Sequence, residues 1–330
     1  MSNNVLLIGG AGYIGQHIAW ALHDIGITVV VLDNLTTGSK DNLPPCELII
    51  DDISTVDIDR LIEWRGGIDA IIHLAALTSV PESLEKPDLY FKINTIGTWH
   101  ALELTRQLNA DMFIFSSTAA VYGKPIELPV TESHPVHPFN TYGMSKLAAE
   151  MLIKDYCNIY GIRGIALRYF NVIGCDPELR TGDTRGITDN VVHQLMRCID
   201  DPKAIFSIYG NDYDTPDGSP VRDFIHVSDI ASAHIYAMKN IKNINDKFSV
   251  INVGYGKGYS IKELVNTLVE VAPKHFYPTI ENSNRRIGDI EKIWADNKAL
   301  LQLGWKPKFD DLTTMLKHSL DWHLFNDNKN

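Results

Sequence analysis

A glycine-rich loop near the start of the chain constrains the fold more than any other feature. Residues 9–15, of sequence GGAGYIG, lie between the apolar run Val5 to Ile8 and a helical pattern from Gln16 to Ile25. Glycines between a strand and a helix let the backbone turn tightly and approach a pyrophosphate, which then lies at the positive end of the helix. The loop therefore predicts a dinucleotide-binding βαβ unit.

An acidic residue after the second apolar run indicates which dinucleotide is bound. The run Thr28 to Leu32 predicts a strand, and Asp33 follows it directly. A carboxylate at this place accepts hydrogen bonds from the adenosine ribose and repels a 2′-phosphate, which favours NAD over NADP. The alternative is that Asp33 and Asn34 only cap a turn. Asp52 and Ile53, after a third strand, are expected near the adenine.

Short apolar runs alternate with helical patterns over the first two thirds of the chain. Further runs extend from Ala70 to Leu74, from Met112 to Phe115 and from Gly164 to Arg168. Strands that are apolar on both faces belong to a parallel sheet with helices on each side. We predict an α/β fold with a doubly wound parallel sheet of the Rossmann type.

The character of the sequence changes after Gly174. Asp176 to Gly186 and Gly210 to Gly218 are polar segments rich in turn-forming residues, and such segments in a compact protein are commonly functional. We predict an NAD-binding domain at residues 1–175, with a returning segment at about 224–242. Residues 176–330 are predicted to form mainly a smaller C-terminal α/β domain that binds the substrate.

The composition argues against several classes of protein. The 330 residues carry a formal net charge of −11, and an acidic surface repels nucleic acid. A phosphate-bearing ligand would then need locally placed arginines. No run approaches the roughly 18 apolar residues of a membrane span. The cysteines lack zinc-site spacing, so we expect no metal, reduced thiols and a cytoplasmic protein; they are Cys46, Cys157, Cys175 and Cys198.

Tyr142 and Lys146 are four residues apart at the start of a helical pattern, so they lie on one helix face. A phenol acts as a base near neutral pH only if its pKa of about 10 falls by about three units, worth roughly 4 kcal/mol. One positive charge about 4 Å away supplies that much at an effective dielectric of about 20. We therefore interpret Tyr142 as a base whose pKa Lys146 lowers. The alternative is an ordinary helix with an exposed lysine, because this spacing is common by chance.

Several longer segments extend these motifs into a resemblance that covers nearly the whole chain. They are HLAALTSVPES (residues 73–83), FSSTAAVYG (115–123), TYGMSK (141–146), LRYFNVIG (167–174), VRDFIHVSDI (221–230) and RRIGDIEKIWAD (285–296). Together with the glycine loop and Asp33, they resemble the extended branch of the short-chain dehydrogenase/reductase superfamily. The segment GNDYDTPDGSPVRDFIHV (210–227) is especially similar to the UDP-hexose 4-epimerase family within it.

The resemblance implies the residues that perform the reaction and hold the cofactor. Tyr142 is the general base and acid at the sugar hydroxyl, Lys146 holds the nicotinamide ribose, and Thr118 hydrogen-bonds the reacting oxygen. The residues expected to contact NAD are Gly9, Gly12, Tyr13, Ile14, Gly15, Asp33, Asn34, Asp52, Ile53, Leu74, Ala75, Ala76, Asn94, Ser116, Tyr142, Lys146 and Tyr169.

The resemblance also implies which residues hold a UDP-sugar. Arg222 and Arg286 clamp the diphosphate, Asp289 contacts the uridine ribose, and Tyr209 flanks the uracil. The full set is Thr118, Asn171, Asn190, Tyr209, Arg222, Arg286, Asp289 and Ile293. An acidic protein needs local arginines for a diphosphate, so the composition agrees with this assignment. The alternative for the two arginines is surface ion pairing.

This scaffold supports several reactions, and the two residues after Thr118 indicate which of them this chain can catalyse. Related dehydratases carry acidic residues there, whereas Ala119 and Ala120 cannot act as acids or bases, which disfavours dehydration and decarboxylation. Asp33 argues against an NADP-dependent reductase, and the tyrosine–lysine pair argues against a non-enzymatic NAD sensor. We expect reversible interconversion of UDP-glucose and UDP-galactose through a transient 4-keto intermediate, with tightly bound NAD.

Two positions depart from the usual pattern of this family. Ile293 stands where members restricted to UDP-glucose often carry a bulky tyrosine, so UDP-N-acetylglucosamine is an alternative or additional substrate. Thr78 stands where some relatives carry a lysine near the cofactor, so weaker cofactor affinity is expected. The resemblance also implies a homodimer with a four-helix interface, formed by the helix of Tyr142 and the segment Asn94 to Leu108.

Overall fold

The computed structural model describes residues 4–57, 59–62, 67–184, 190–201, 203–273, 276–286 and 288–327. The strands in chain order are β1 (Asn4–Ile8), β2 (Thr28–Asp33), β3 (Glu47–Ile50), β4 (Ala70–His73), β5 (Met112–Thr118), β6 (Arg163–Tyr169), β7 (Asn171–Ile173), β8 (Ile205–Tyr209), β9 (Val221–Arg222), β10 (Phe224–His226), β11 (Phe248–Val253), β12 (Tyr259–Ser260), β13 (Thr279–Ser283) and β14 (Lys292–Ile293). Seven of them form a central sheet in the order β11-β6-β5-β4-β1-β2-β3.

Helices connect these strands. In chain order they are α1 (Tyr13–His23), α2 (Asp59–Ile62), α3 (Val80–Glu85), α4 (Pro87–Tyr90), α5 (Gly97–Gln107), α6 (Thr141–Tyr160), α7 (Val191–Asp200), α8 (Val227–Asn240), α9 (Ile261–Val271), α10 (Lys298–Gln302) and α11 (Leu312–Asp327). A π-helical turn at Phe91–Ile96 leads into α5, and short 3-10 turns lie at Ala119–Tyr122 and Ile241–Asn243.

Every pairing in the central sheet is parallel, which confirms the predicted doubly wound α/β fold. Helices α1 and α8 pack on one face, and α5 and α6 pack on the other. The core strands are buried on both faces, as the uninterrupted apolar runs predict. Helix α1 begins at Tyr13, inside the predicted loop, because Gly12 is already its N-cap residue.

The C-terminal part of the chain adds three small sheets that pair β7 with β10, β9 with β12 and β14, and β8 with β13. The predicted returning segment contains β10 and α8, and α8 packs beside α1 on the central sheet. The strand that joins the sheet edge is β11, which lies after that segment and pairs with β6. None of the helices in the described ranges is long and apolar enough to cross a membrane.

Candidate active site

The glycine loop is packed too closely for any side chain at two of its positions. Gly9 has a φ of +79°, and a Cβ atom there would lie 2.4 Å from the backbone nitrogen of Ala75. A Cβ atom on Gly15 would lie 2.5 Å from the carbonyl oxygen of Gly9. Gly12 is the N-cap of α1 and has no side chain with which to cap the first amides. The loop therefore presents bare backbone and a helix N-terminus, which suits the diphosphate of a dinucleotide.

Asp33 ties this loop to the end of β2. One carboxylate oxygen accepts a hydrogen bond from the Ala11 amide at 2.9 Å, and the other accepts one from the Leu35 amide at 2.8 Å. Each oxygen keeps a further lone pair, so the carboxylate can also accept from a ribose hydroxyl. Asp33 thus fits the adenosine-binding role predicted for it, and it also caps the turn that was the alternative.

A cavity of about 240 Å³ lies beside the loop and brings predicted residues from separate strands together. The predicted cofactor residues that line it are Gly9, Asp33, Asn34, Asp52, Ile53 and Ala75. Residues that the sequence reasoning did not include also line it, namely Ile8, Leu32, Asp51, Ser54, His73, Lys92, Ile93, Ile96, Gly97 and His100. Helical spacing could have identified four of these residues from the sequence, because positions 93, 96, 97 and 100 share one helix face.

Three other predicted cofactor residues make contacts within the protein. The Tyr13 hydroxyl donates to the Gly174 carbonyl oxygen at 2.5 Å. The Asn94 side chain accepts from the Leu77 amide and donates to the Leu77 carbonyl and the Ser145 hydroxyl. It thereby fastens the loop after β4, which contains Leu74 to Ala76, to helix α6.

Tyr169 completes that group, and its hydroxyl lies 2.7 Å from Nε2 of His234. The His234 Nδ1 atom lies 2.9 Å from the Ile230 carbonyl oxygen, so it carries the ring proton and donates it there. The Tyr169 hydroxyl therefore donates to His234. Ile14, also predicted, packs partly buried against the same apolar cluster as Tyr169.

Thr118 and Tyr142 meet where β5 ends and α6 begins. Asn140 caps α6 by accepting the Gly143 amide at 2.8 Å, which sets the start of the helix beside the strand end. The Thr118 hydroxyl lies close enough to the Tyr142 phenol to lower the pKa of Tyr142, while burial raises it. Burial is the larger effect, so the pKa of Tyr142 lies above its ordinary value.

Lys146 is almost fully buried one turn further along α6, at 2% exposure. Its ammonium donates to the Ser116 carbonyl oxygen at 2.8 Å and lies 4.6 Å from the centre of the Phe115 ring. Burial lowers the pKa of Lys146 to about 7, and the charge of Glu150 opposes this effect. The protein's own residues therefore do not lower the pKa of Tyr142 as expected, because burial penalises the phenolate.

The residues predicted to hold a diphosphate form a second cluster. Arg222 on β9 lies opposite Ile293 on β14, and its guanidinium is 3.9 Å from the Asp289 carboxylate. Burial raises the pKa of Asp289, and the charges of Arg222 and Arg286 lower it. The Arg286 guanidinium lies 3.5 Å from the centre of the Tyr209 ring. Strands and loops up to 84 residues apart in the numbering, from 209 to 293, thus converge on one place.

The two predicted asparagines contribute to local structure. Asn190 caps α7 by accepting the Val192 and His193 amides, and its amide group donates to the Val172 carbonyl at 3.2 Å. Asn171 begins β7, where its backbone amide donates to the Asp223 carbonyl at 2.9 Å. Both asparagines therefore lie at the junction between the central sheet and α7.

Ile293 is 4% exposed and belongs to a small apolar cluster. The cluster also contains Ala119 and Phe170, which flank the Thr118 strand end, so Ile293 connects the arginine cluster to the reaction site. Ile293 therefore shares its apolar cluster with the residues on either side of that strand end.

Comparisons with known proteins agree with this geometry. Residues 5–254 match the model of the NAD dependent epimerase/dehydratase family. A UDP-glucose 4-epimerase of Azospirillum brasilense is 38% identical over 97% of this chain and 92% of its own length. The crystal structure of UDP-glucose 4-epimerase from Bifidobacterium longum in complex with NAD+ and UDP superposes with a TM-score of 0.90 at 33% identity, covering 99% of this chain and 100% of that one.

A third relative is the UDP-Glc/GlcNAc 4-epimerase of Campylobacter jejuni, with a TM-score of 0.81 and 36% identity over 98% of this chain and 99% of that one. The matched length and the level of identity leave one assignment. The chain belongs to the NAD dependent epimerase/dehydratase family, which confirms the relationship predicted from its motifs.

Proposed function

We propose that this protein catalyses reversible epimerisation at carbon 4 of the hexose of a UDP-sugar, interconverting UDP-glucose and UDP-galactose through a transient 4-keto intermediate. The observation that carries the proposal is the triad at the head of α6. Tyr142 lies beside the Thr118 hydroxyl, which lowers its pKa, and precedes Lys146 by one turn, while Lys146 donates to the Ser116 carbonyl on the same strand end. An isomerase of this kind needs NAD, and the bare loop and Asp33 fit that cofactor.

Tyr142 and Thr118 have separate tasks: one transfers the proton and the other positions the reacting oxygen. The Tyr142 oxygen takes the proton of the C4 hydroxyl, and Thr118 hydrogen-bonds the reacting oxygen. When bound, NAD would accept the hydride from the same carbon, and its positive ring would give the phenolate the stabilisation that Lys146 alone does not provide. After the ketone presents its other face, the hydride would return to carbon 4 and Tyr142 gives the proton back to the oxygen. Ala119 and Ala120 supply no acid or base, so elimination of water has no catalyst here.

The diphosphate is the anchor about which the ketose turns. Arg222 and Arg286 supply its charge-assisted hydrogen bonds, and Asp289 lies between them to receive the uridine ribose. Tyr209 offers an aromatic face to the uracil. Asn171 and Asn190, at the sheet junction, hold the sugar end. The glycine loop and the other NAD residues predicted from the sequence are proposed to retain the cofactor through the cycle.

The direct test is turnover of UDP-galactose by purified protein with no added cofactor. We expect UDP-glucose to form and denatured protein to release NAD, because a redox-neutral cycle leaves the cofactor as it began. Absence of conversion by protein with bound NAD would refute the proposal. Activity that depends on added NAD(P)H would favour a reductase instead.

A second substrate class has an observation in its favour. Ile293 is smaller than tyrosine and packs beside the reaction site, and the Campylobacter relative is a UDP-Glc/GlcNAc 4-epimerase. We therefore propose measurable activity on UDP-N-acetylglucosamine in addition to UDP-glucose. Equal kcat/KM values for the natural protein and an Ile293→Tyr variant on this substrate would contradict the size argument.

We also propose that the protein is a homodimer and that it is cytoplasmic. Large apolar side chains are exposed along the helices α5 and α6, including Ile96 at the start of α5, Trp99 and Met151, which is 63% exposed. A second copy would cover them by helix-on-helix packing. We expect Met151→Glu to give a monomer in light scattering, whereas Ile126→Glu, at a loop position that is also exposed, keeps the dimer. The described cysteines are all free, as in a reducing compartment.

A further inference from the structure

Glu150 continues the stripe of functional residues along α6. It follows Lys146 by one turn, as Lys146 follows Tyr142, so all three lie on the same helix face. Its side chain is 5% exposed and accepts two hydrogen bonds from Arg168, at 2.9 and 2.6 Å. It also accepts the Ser117 hydroxyl at 2.5 Å. The carboxylate is therefore held by three hydrogen bonds beneath the reaction site.

Three consecutive residues at the end of β5 make three different connections to α6. The Ser116 carbonyl accepts a hydrogen bond from the Lys146 ammonium, the Ser117 hydroxyl donates to Glu150, and the Thr118 hydroxyl lies beside Tyr142 and lowers its pKa. The strand end is thus fastened to the helix at each of its last three residues.

Arg168 adds the neighbouring strand to this arrangement. It lies directly opposite Ser117 in the β5–β6 register, one pair before Thr118 and Tyr169. Its guanidinium also stacks on the ring of Tyr122, 4.7 Å from the centre. The Glu150–Arg168 pair therefore ties together α6, β5, β6 and the turn that follows Thr118.

Packing alone is a poor reason for such a pair. Two charges lose their hydration on burial, and well-packed apolar residues of similar volume commonly serve stability as well or better. Within the described chain, Nη1 of Arg168 has no hydrogen-bond partner, which adds to the cost. The pair lies directly under the residues that must meet the reacting oxygen, so a role in the reaction would account for the free energy that its burial costs.

We propose that the buried Glu150–Arg168 ion pair is a positioning element for the reaction, which holds the Ser116–Thr118 strand end against α6 and places a negative charge near the Lys146 ammonium. This inference rests on the proposed function for its kinetic readout. Neither residue touches the reacting atoms; both act through Lys146, Thr118 and Tyr142.

The charge effect has a definite direction. Burial lowers the pKa of Lys146 to about 7, and Glu150 acts against that shift. The other groups that face the ammonium add no charge: the Ser116 carbonyl and the Phe115 ring from β5, and His73 from β4, which stays neutral because burial lowers its pKa to about 3. Removal of the Glu150 charge therefore lowers the Lys146 pKa further and moves the loss of activity to lower pH.

The test compares variants of the full holoenzyme. Glu150→Gln removes the charge but leaves Arg168 buried without a counter-ion. The double variant Glu150→Gln/Arg168→Met leaves no buried charge and is the one expected to fold well. Arg168→Lys keeps the charge without the two-pronged geometry. Tyr255→Phe is the matched control, because it removes a buried hydrogen bond of 2.6 Å to Asp229 on α8, outside α6, β5 and β6.

Three readouts are measured for each variant that retains NAD and a cooperative melting transition. They are the titration of Lys146 by NMR with carbon-13 lysine, assigned with Lys146→Arg, and kcat and KM for UDP-galactose across pH. We expect both Gln variants to lower kcat roughly 10- to 100-fold with little change in KM. The Lys146 titration and the basic limb of kcat should move to lower pH together, and Arg168→Lys should keep the parental pH dependence.

Tyr255→Phe should lower the melting temperature without moving either pH dependence. The inference is overturned if the folded Gln variants keep the parental kcat and Lys146 titration, or if Tyr255→Phe shifts them equally. The NMR titration needs no turnover, and the parent protein is assayed alongside. A parent that does not turn over UDP-galactose would refute the proposed function, and the Lys146 titration would still test the positioning role.

Discussion

The guanidinium of Arg286 lies 3.5 Å from the centre of the Tyr209 ring, directly over its face. The neighbouring residue repeats the arrangement, since Arg285 lies 4.1 Å from the centre of the Tyr213 ring. Arg285 also forms an ion pair with Asp212 at 2.7 Å, whereas Arg286 acts on Asp289. Two adjacent arginines thus have the same kind of aromatic partner, but only Arg286 shares a cluster with Arg222.

This difference makes Arg285 a matched control for the diphosphate role. We expect Arg286→Met to weaken UDP binding roughly 10- to 100-fold, because a charge-assisted hydrogen bond contributes about 1.5–3 kcal/mol. Arg285→Met should change the affinity by less than about threefold, as is usual for an exposed ion pair. Isothermal calorimetry with UDP measures both, and equal losses would remove Arg286 from the proposed clamp.

Tyr142→Phe tests the proton transfer. The variant keeps the ring that packs edge-on against Tyr90 at 6.5 Å, but it loses the oxygen that takes the C4 proton. We expect kcat to fall about 10²- to 10⁴-fold, the range for a lost general base, with NAD still bound. Tyr277→Phe, at a position 79% exposed, is the control and should be unaffected. A Tyr142→Phe enzyme with parental kcat would show that another group moves the proton.

Asp33→Asn tests cofactor retention. In the variant, the amide N–H group faces one of the two backbone N–H groups from which Asp33 accepts hydrogen bonds. The remaining amide oxygen is also a weaker acceptor for the ribose. We expect NAD to dissociate roughly 10- to 100-fold more readily, in line with loss of a charged hydrogen-bond acceptor. The NAD content after gel filtration reports this. The exposed Asp246→Asn exchange should retain full cofactor, and full retention by both variants would count against the assignment of Asp33.

Ile293→Tyr tests the room beside the sugar. The added ring must displace neighbours in the cluster with Ala119 and Phe170, which typically costs about 1–3 kcal/mol of stability. We expect kcat/KM on UDP-N-acetylglucosamine to fall more than kcat/KM on UDP-glucose, because only the larger sugar needs the lost space. The ratio of the two values is the measurement, since it cancels any loss of folded protein. Ile280→Tyr, at an exposed position, should leave the ratio unchanged.

His73→Leu tests the acid sensitivity of the fold. Burial lowers the pKa of His73 to about 3, and neither ring nitrogen has a hydrogen-bond partner among the described residues. The unfolded chain binds this proton near pH 6.5 and the folded chain does not, so stability is lost as the pH falls from 6.5 towards 3. Each unit in that window costs about 1.4 kcal/mol.

The variant should therefore lose about 2 kcal/mol less unfolding free energy than the parent between pH 7.5 and 5, measured by urea denaturation. At pH 7.5 its stability should be close to that of the parent, because an unsatisfied buried imidazole is replaced by an apolar side chain. The exposed His137→Leu exchange should leave the pH dependence of the parent intact. An unchanged slope in His73→Leu would assign the acid sensitivity to the other buried histidines.

The sequence by itself determined the features that depend on neighbours along the chain. The close packing of Gly15 against Gly9 is a property of one turn, and the common face of Tyr142 and Lys146 follows from helical spacing alone. The parallel sheet followed from apolar runs that have no solvent face. The place of Asp33 could also be predicted, because it stands at the end of its own strand.

The tertiary structure decided the features that join distant segments. Arg222 meets Ile293 only through the β9–β14 register, and Glu150 finds Arg168 only because β6 lies beside β5 in the sheet. β11 joins the sheet after the segment that was expected to return. The raised pKa of Tyr142 likewise could not be predicted from the sequence, because desolvation depends on everything packed around a group. Spacing specifies which residues can share a face, whereas only packing specifies which partner and which dielectric each of them meets.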